Sequence, residues 1–220
     1  MAIVICKDIV KTFIGQDKPV LDGVSLSLDE GCFVSIMGRS GSGKSTLLRV
    51  ICGLIPADSG TIEVLGHQVN KMTVRQQSKF RSTMIGIVFQ DNNLIDEFNI
   101  EDNILTPLFI AGKKVDKAYY ERLLELTELG GMQKKMPNQL SGGQRQKVSI
   151  VRALIAKPKI LFADEPTGSL DSNSELQIMD LFKTLNKEFS VSILQVTHSE
   201  ICAKAGRQII RINDGKVEIK

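Results

Sequence analysis

Val24 to Leu28, "VSLSL", alternates apolar and polar positions, the period-2 pattern of a half-exposed strand. Asp29, Glu30 and Gly31 follow as a turn, and "CFVSIM" then reads as a more uniformly apolar, buried strand. A glycine-rich loop leads into "STLLRVICGL", a helical pattern closed by Gly53 and Pro56. "GTIEVLGHQV" predicts a short hairpin around Gly66 and His67, and Met84 to Gln90 another buried strand. From residue 91 to about 157 the signals are helical. There "DKAYYERLLELTEL" puts Tyr119, Tyr120, Leu123, Leu124 and Leu126 on one broad face, with Asp116 as cap and Gly130 as stop. A second helix, "GGQRQKVSIVRALIAKP", ends by Pro158. Strand character returns in "KILFA" and "VSILQV", and "QIIRINDGKVEIK" predicts a hairpin turning at Asp214-Gly215. Strands and helices therefore alternate at both ends, with a helical insert between. That order predicts one domain over 1–220: a mainly parallel α/β core (1–90 and 158–220) carrying a helical subdomain (about 91–157).

Composition narrows the class. With 42% hydrophobic and 24% charged residues the chain can bury a core, which argues against disorder. A net charge of +3, with both signs interspersed, is too weak a balance to point to nucleic acid. Nothing approaches the ~20 consecutive apolar residues that span a bilayer. "MAIVICKDIVK" lacks a basic leader and a cleavage site, so it reads as a strand and not a signal peptide, and a soluble, cytosolic chain is expected. Cys6, Cys32, Cys52 and Cys202 have no metal-ligand spacing and sit among apolar neighbours, which suggests small core residues in a reducing compartment.

The glycine-rich loop carries the sharpest chemistry. "GRSGSGKST" runs through Gly38, Arg39, Ser40, Gly41, Ser42, Gly43, Lys44, Ser45 and Thr46, and fits G-x-x-x-x-G-K-[ST]. Its glycines let the backbone curl so that N–H groups face one anion, and the helix that follows adds its positive dipole end. Lys44 is placed to reach β- and γ-phosphates, and the Ser45 hydroxyl to ligate Mg²⁺. The loop sits between a buried strand and a helix, as the motif requires.

Four further polar residues stand at the ends of three apolar strands. "ILFADEP" closes with Asp164, suited to holding Mg²⁺, and Glu165, which points the other way and could poise an attacking water. Gln90 and His198 follow "MIGIVF" and "SILQV", where a side chain can reach a γ-phosphate or its water. Gln90 joins Ser45 and Asp164 as a candidate metal contact. His67, in a predicted turn, is read as an ordinary surface histidine.

These motifs, in this order, resemble the nucleotide-binding subunit of ABC transporters over essentially the whole chain. "GRSGSGKST" matches Walker A, Gln90 the Q-loop, "LSGGQ" the signature, "ILFADE" Walker B, "SLDS" the D-loop and His198 the H-loop. The resemblance implies a P-loop NTPase (RecA-like) core with a mainly parallel sheet, an antiparallel β subdomain and an inserted α-helical subdomain. It implies ATP and Mg²⁺ as ligands, with Lys44, Gln90, Glu165 and His198 as catalytic groups. Ser141, Gly142, Gly143 and Gln144 would close on the ATP of a second copy, in a head-to-tail homodimer formed with ATP. Asp171 matches the acid linking the two sites. Phe13 matches the aromatic that stacks on adenine, where the family usually has tyrosine.

"FRSTMIGIVFQDNNLIDEFNIEDNI" with "DEPTGSLDS" resembles the branch of lipoprotein-release, macrolide, antimicrobial-peptide and cell-division ATPases. Such a chain would sit on the cytoplasmic face of the membrane and drive a separate permease, with no nucleic-acid partner. Export of, or resistance to, an antimicrobial peptide, macrolide or lipid-linked compound is implied. The alternative is a regulatory ATPase of a cell-division or cell-wall signalling complex, which the same catalytic residues would serve.

Overall fold

The computed structural model describes residues 1–218. Two sheets organise them. β1 (Ala2–Lys11), β2 (Leu21–Asp29), β4 (Ser59–Val64) and β5 (His67–Gln68) form an antiparallel sheet in the order β2-β1-β4-β5. The larger sheet contains β3 (Phe33–Met37), β6 (Ile85–Val88), β7 (Ile160–Asp164), β8 (Ser192–Thr197), β9 (Gln208–Asn213) and β10 (Lys216–Glu218). Its order among the described residues is β10-β9-β3-β8-β7-β6, and every pairing is parallel except β9 with β10. The predicted C-terminal hairpin is present through Glu218; Ile219 and Lys220 lie outside the described residues.

Side chains alternate across a strand, so β7 feeds two cores. Ile160 and Phe162 pack with Val34, Ile36, Leu194 and Val196, against α1 (Lys44–Ile51) and the antiparallel sheet. Leu161 and Ala163 pack with Phe33 and Ile193 on the opposite face. There they meet α3 (Ile100–Ala111), α4 (Lys117–Thr127), α5 (Gly142–Leu154) and α6 (Ser172–Phe189). Phe33 and Phe182 meet edge-to-face at 6.2 Å between centroids, and burying each ring contributes about 2–3 kcal/mol. The helices share this core with the sheet.

Several boundaries differ from expectation for local reasons. α4 is capped by Asp116, whose carboxylate accepts from the Tyr119 N–H at 3.1 Å. It stops at Glu128, in the left-handed region at φ 57°, two residues before the expected Gly130. The pattern of apolar residues did not mark α2 (Val74–Met84), because Phe80 is its buried residue and most others are polar. Its start was written in "TVRQ", where Thr73 and Gln76 form a reciprocal capping box. All four cysteines join the two apolar cores as expected, with two refinements. Cys32 is half-buried, and Cys202, though buried, lies in a polar cluster with Thr167 and Glu175.

Parallel pairing puts the carboxyl ends of β3, β6, β7 and β8 along one edge of the sheet. The Gly38–Thr46 loop, Gln90, Asp164–Glu165 and His198 all follow these ends. α7 (Glu200–Ala203) begins just after His198.

Candidate functional site

The loop after β3 closes on itself. Lys44 is buried, and its Nζ donates to the carbonyls of Gly38 and Arg39 at 2.9 Å each. Gly41 and Gly43 hold φ of 79° and 98°, a region costing other residues about 1–2 kcal/mol. Gly43 begins α1 without any side-chain cap, so the first-turn N–H groups face outward unclaimed by a neighbouring side chain. Ser42 Oγ is buried and lacks a hydrogen-bond partner. An uncapped helix end, an orphaned hydroxyl and a buried ammonium together suit a phosphate chain.

Beside the loop an open cleft of about 290 Å³ is lined by Phe13, Gln16, Val20, Gly41, Gly43, Lys44, Ser45 and Thr46. Phe13 is 40% exposed there, so it is not a core residue and its face is free to stack. Its approach is fixed by Asp58, which accepts from Lys11 Nζ at 2.7 Å and from the Thr12 N–H at 2.6 Å. Those two donors hold the Asp58 carboxyl below its usual range, Lys11 first.

At the end of β7 the two acids diverge as the strand alternation requires. Asp164, nearly buried, accepts from Ser45 Oγ at 2.6 Å and lies 3.3 Å from Arg49 Nη2. Hydroxyl and carboxylate oxygens side by side are hard ligands of the kind Mg²⁺ takes. Among the described residues no cluster of three or more His, Cys, Asp or Glu could hold a metal.

Glu165 adopts φ 49°, a left-handed conformation that costs a non-glycine residue about 1–2 kcal/mol. The turn aims its carboxylate back over the loop. Oε2 accepts from His198 Nδ1 at 2.6 Å, and Oε1 stands 3.8 Å from Lys44 Nζ. Glu165, His198 and Lys44 arrive from three strand ends and meet. Gln90 packs against the turn that follows: a Cβ on Gly168 would stand 3.0 Å from its Nε2.

The structure does not bring Ser141–Gln144 or Asp171 to the cleft. Ser141 caps α5 in a reciprocal box: its Oγ accepts from the Gln144 N–H at 3.2 Å, and Gln144 Oε1 accepts from the Ser141 N–H at 3.0 Å. Ser141 is exposed and lines neither the cleft nor the neighbouring cavity around Arg39 and His198. Asp171 caps α6 through the N–H groups of Asn173 and Ser174, both at 3.0 Å. The Ser174 hydroxyl, at 2.7 Å, is the main group keeping its carboxyl below the ordinary value.

Two residues that sequence reasoning missed hold the segment around Gln90. Arg152, on α5, donates to the carbonyls of Asn92 and Asn93 at 2.6 Å each, and Gln146 Nε2 reaches Phe89 O at 3.5 Å. One helix thus begins at Ser141 and anchors the stretch after β6. A buried glutamine and a part-buried arginine among apolar helix positions were the available signals.

Comparison with known proteins decides the family. The model of the ABC transporter family matches residues 21–168. The chain belongs to that family. As an ABC ATPase domain it is 40% identical to the bacitracin export ATP-binding protein BceA of Halalkalibacterium halodurans, over 90% of this chain and 79% of that protein. It is also 40% identical to the lipoprotein-releasing system ATP-binding protein LolD of Leptospira interrogans, over 96% of this chain and 88% of that one. The macrolide export protein MacB of Syntrophobacter fumaroxidans is 43% identical, but this chain spans only 31% of it. Among solved structures, the dimeric post-hydrolysis state of the cassette MJ0796 bound to ADP and Pi superposes with a TM-score of 0.87 at 38% identity. That match covers 98% of this chain and 97% of the cassette. Both sheets and the helices between them are thus those of an ABC cassette. No helix among the described residues is long and apolar enough to cross a membrane.

Proposed function

We propose that this ABC ATPase binds and hydrolyses ATP to drive a separate membrane permease from the cytoplasmic face, in export of or resistance to an antimicrobial peptide, macrolide or lipid-linked compound. The convergence of Lys44, Glu165 and His198 over the phosphate-binding loop carries this proposal.

In this reading Phe13 stacks on the base, and Gly38 to Thr46 wrap the phosphates. Lys44 exchanges its carbonyl partners for β- and γ-phosphate oxygens. Ser45 and Asp164, with Gln90 as a third candidate ligand, would hold Mg²⁺, whose charge offsets that of the phosphates. Glu165 orients the attacking water and takes its proton, while His198, fixed by the Glu165 carboxylate, contacts the γ-phosphate.

Ser141, Gly142, Gly143 and Gln144 serve the nucleotide of a second copy, which makes the working unit a homodimer. The outward-facing cap of α5 and the dimeric cassette relatives support this. The helical segment about 91–157 then moves as a subdomain, and Arg152 carries its displacement to the Gln90 stretch. The names of BceA, LolD and MacB support the substrate class.

The test is affinity capture of the Glu165→Gln protein from native membranes in Mg-ATP. Recovery of a permease with a large extracytoplasmic domain supports the proposal. Recovery of a cell-wall hydrolase complex favours regulation over transport, and absence of any membrane protein overturns the coupling.

A further inference from the structure

The turns that follow Glu165 and His198 both end on a carboxylate that belongs to none of the motifs. Glu175 lies in the first turn of α6. Its Oε1 accepts from the Cys202 thiol at 3.0 Å and from the Thr167 hydroxyl at 3.4 Å. Thr167 Oγ1 and Cys202 Sγ are themselves 3.1 Å apart. Thr167 is two residues beyond Glu165, in the turn after β7. Cys202 belongs to α7, whose cap Ser199 adjoins His198 and accepts from the Cys202 N–H at 3.3 Å. Behind them Gln195 of β8 donates to the Cys202 carbonyl at 2.7 Å and to Ser35 Oγ of β3 at 2.9 Å. Three elements therefore meet on one side chain.

Thr167 and Cys202 are buried and Glu175 is half-buried. Burial pushes the Glu175 carboxyl up, but the hydrogen bonds from Ser199, Cys202 and Thr167, with the nearby His198, outweigh it and leave it below its ordinary value. A carboxylate in such a place is costly unless its donors are aimed at it, and a satisfied polar network fixes geometry more sharply than apolar packing does. That sharpness matters here because Glu165 sits in a left-handed backbone conformation, which the surroundings must hold.

We propose that Glu175 is a positioning residue for hydrolysis: it pins the turn after Glu165 and the helix after His198 to the start of α6. The Glu165–His198 contact of 2.6 Å is thereby kept, and the pair moves with the Asp171 cap on the same helix. This rests on the ATPase reading given above.

The experiment is steady-state Mg-ATP hydrolysis by the full chain and its Glu175 variants, with melting temperatures recorded. Glu175→Ala is expected to lower kcat about tenfold, the scale on which small misplacements act, with KM for ATP within about twofold. Glu175→Gln, which keeps an acceptor, restores most of the rate. Thr167→Val removes one donor from the network and lowers kcat about threefold; it serves as the probe if the alanine variant does not fold. Because Glu175 acts through the catalytic pair, Glu175→Ala adds nothing to His198→Ala. An unchanged kcat in Glu175→Ala, a loss expressed in KM alone, or equal losses with and without His198 would each overturn the proposal while wild-type hydrolysis stands. A wild-type protein that does not hydrolyse ATP would instead sink the ATPase reading, and this one with it.

Discussion

Two glycine-bearing loops lead into helices in this chain, and they differ in what surrounds them. At Gly43 the helix end is uncapped, Ser42 Oγ lacks a partner, and Lys44, Ser45 and Asp164 close around the loop from the same chain. At Ser141 the helix end is already capped by its own Ser141 and Gln144, and the loop lines no cavity with the first. The first loop has the charge and reacting groups of a site but donors left over. The second has an exposed hydroxyl and close-approach glycines, and no reacting groups of its own. Donors left over in one place and an exposed, self-capped helix end in another would suit the two halves of the shared site proposed above.

The comparison breaks most sharply at Glu165. Glu165→Gln keeps the shape and removes the base, so hydrolysis should fall by about 10²–10⁴-fold. ATP binding should persist, and the variant should run as a dimer in Mg-ATP by size-exclusion chromatography. A monomer under those conditions would refute the pairing of the two loops. Next in size is Lys44→Ala. It removes the buried one of the first loop's two cations, Lys44 and Arg39, a loss of roughly 1.5–3 kcal/mol in a charge-assisted contact. Titration calorimetry should show ATP affinity lower by about 10- to 100-fold, and an unchanged affinity would remove Lys44 from the site.

How far could this have been read without coordinates? The strands could, because β3, β7 and β8 are wholly buried runs in which apolar residues predominate. The loop from Gly38 could, because its chemistry lies in consecutive residues. α2 could not be found by apolar periodicity, since it turns mostly polar side chains outward. The 2.6 Å contact of Glu165 with His198 was beyond reach for another reason. Both residues were named, but only the parallel pairing of β7 with β8 sets their turns side by side. The cluster of Glu175, Cys202 and Thr167 is invisible for the same reason: Cys202 is a core residue, and only the fold shows that its thiol faces a carboxylate.

Capping supplies a more discriminating test of the second loop. Thr73 and Ser141 open α2 and α5 with the same reciprocal box, four backbone and side-chain groups satisfying one another. Thr73→Ala and Ser141→Ala should therefore cost a similar amount of stability, about 1 kcal/mol, measured as a shift in denaturation midpoint. Only Ser141→Ala should also reduce ATP hydrolysis, by about tenfold, as expected for one hydrogen bond to a charged group. Equal retention of activity in both variants would make the Ser141 loop a helix cap and nothing more.

The smallest effect is expected at Phe13, where the surroundings are most open. The ring is 40% exposed, lines the cleft, and has Lys11 Nζ 5.6 Å from its centroid. An ammonium at that distance sits at the edge of a useful cation–π contact, so the ring's face toward the cleft remains available to a base. Removing it in Phe13→Ala should cost about 0.5–1.5 kcal/mol of stacking, a two- to tenfold loss of ATP affinity, with kcat preserved because nothing at Glu165 moves. Phe13→Tyr should bind as the wild type does, since the π-face is kept and the added hydroxyl points to solvent at an exposed position. The free protein's melting temperature should be unchanged in both. If Phe13→Ala instead lowers the melting temperature and leaves ATP affinity alone, the ring is packing for Lys11 and Asp58, and the base must find its platform elsewhere in the cleft.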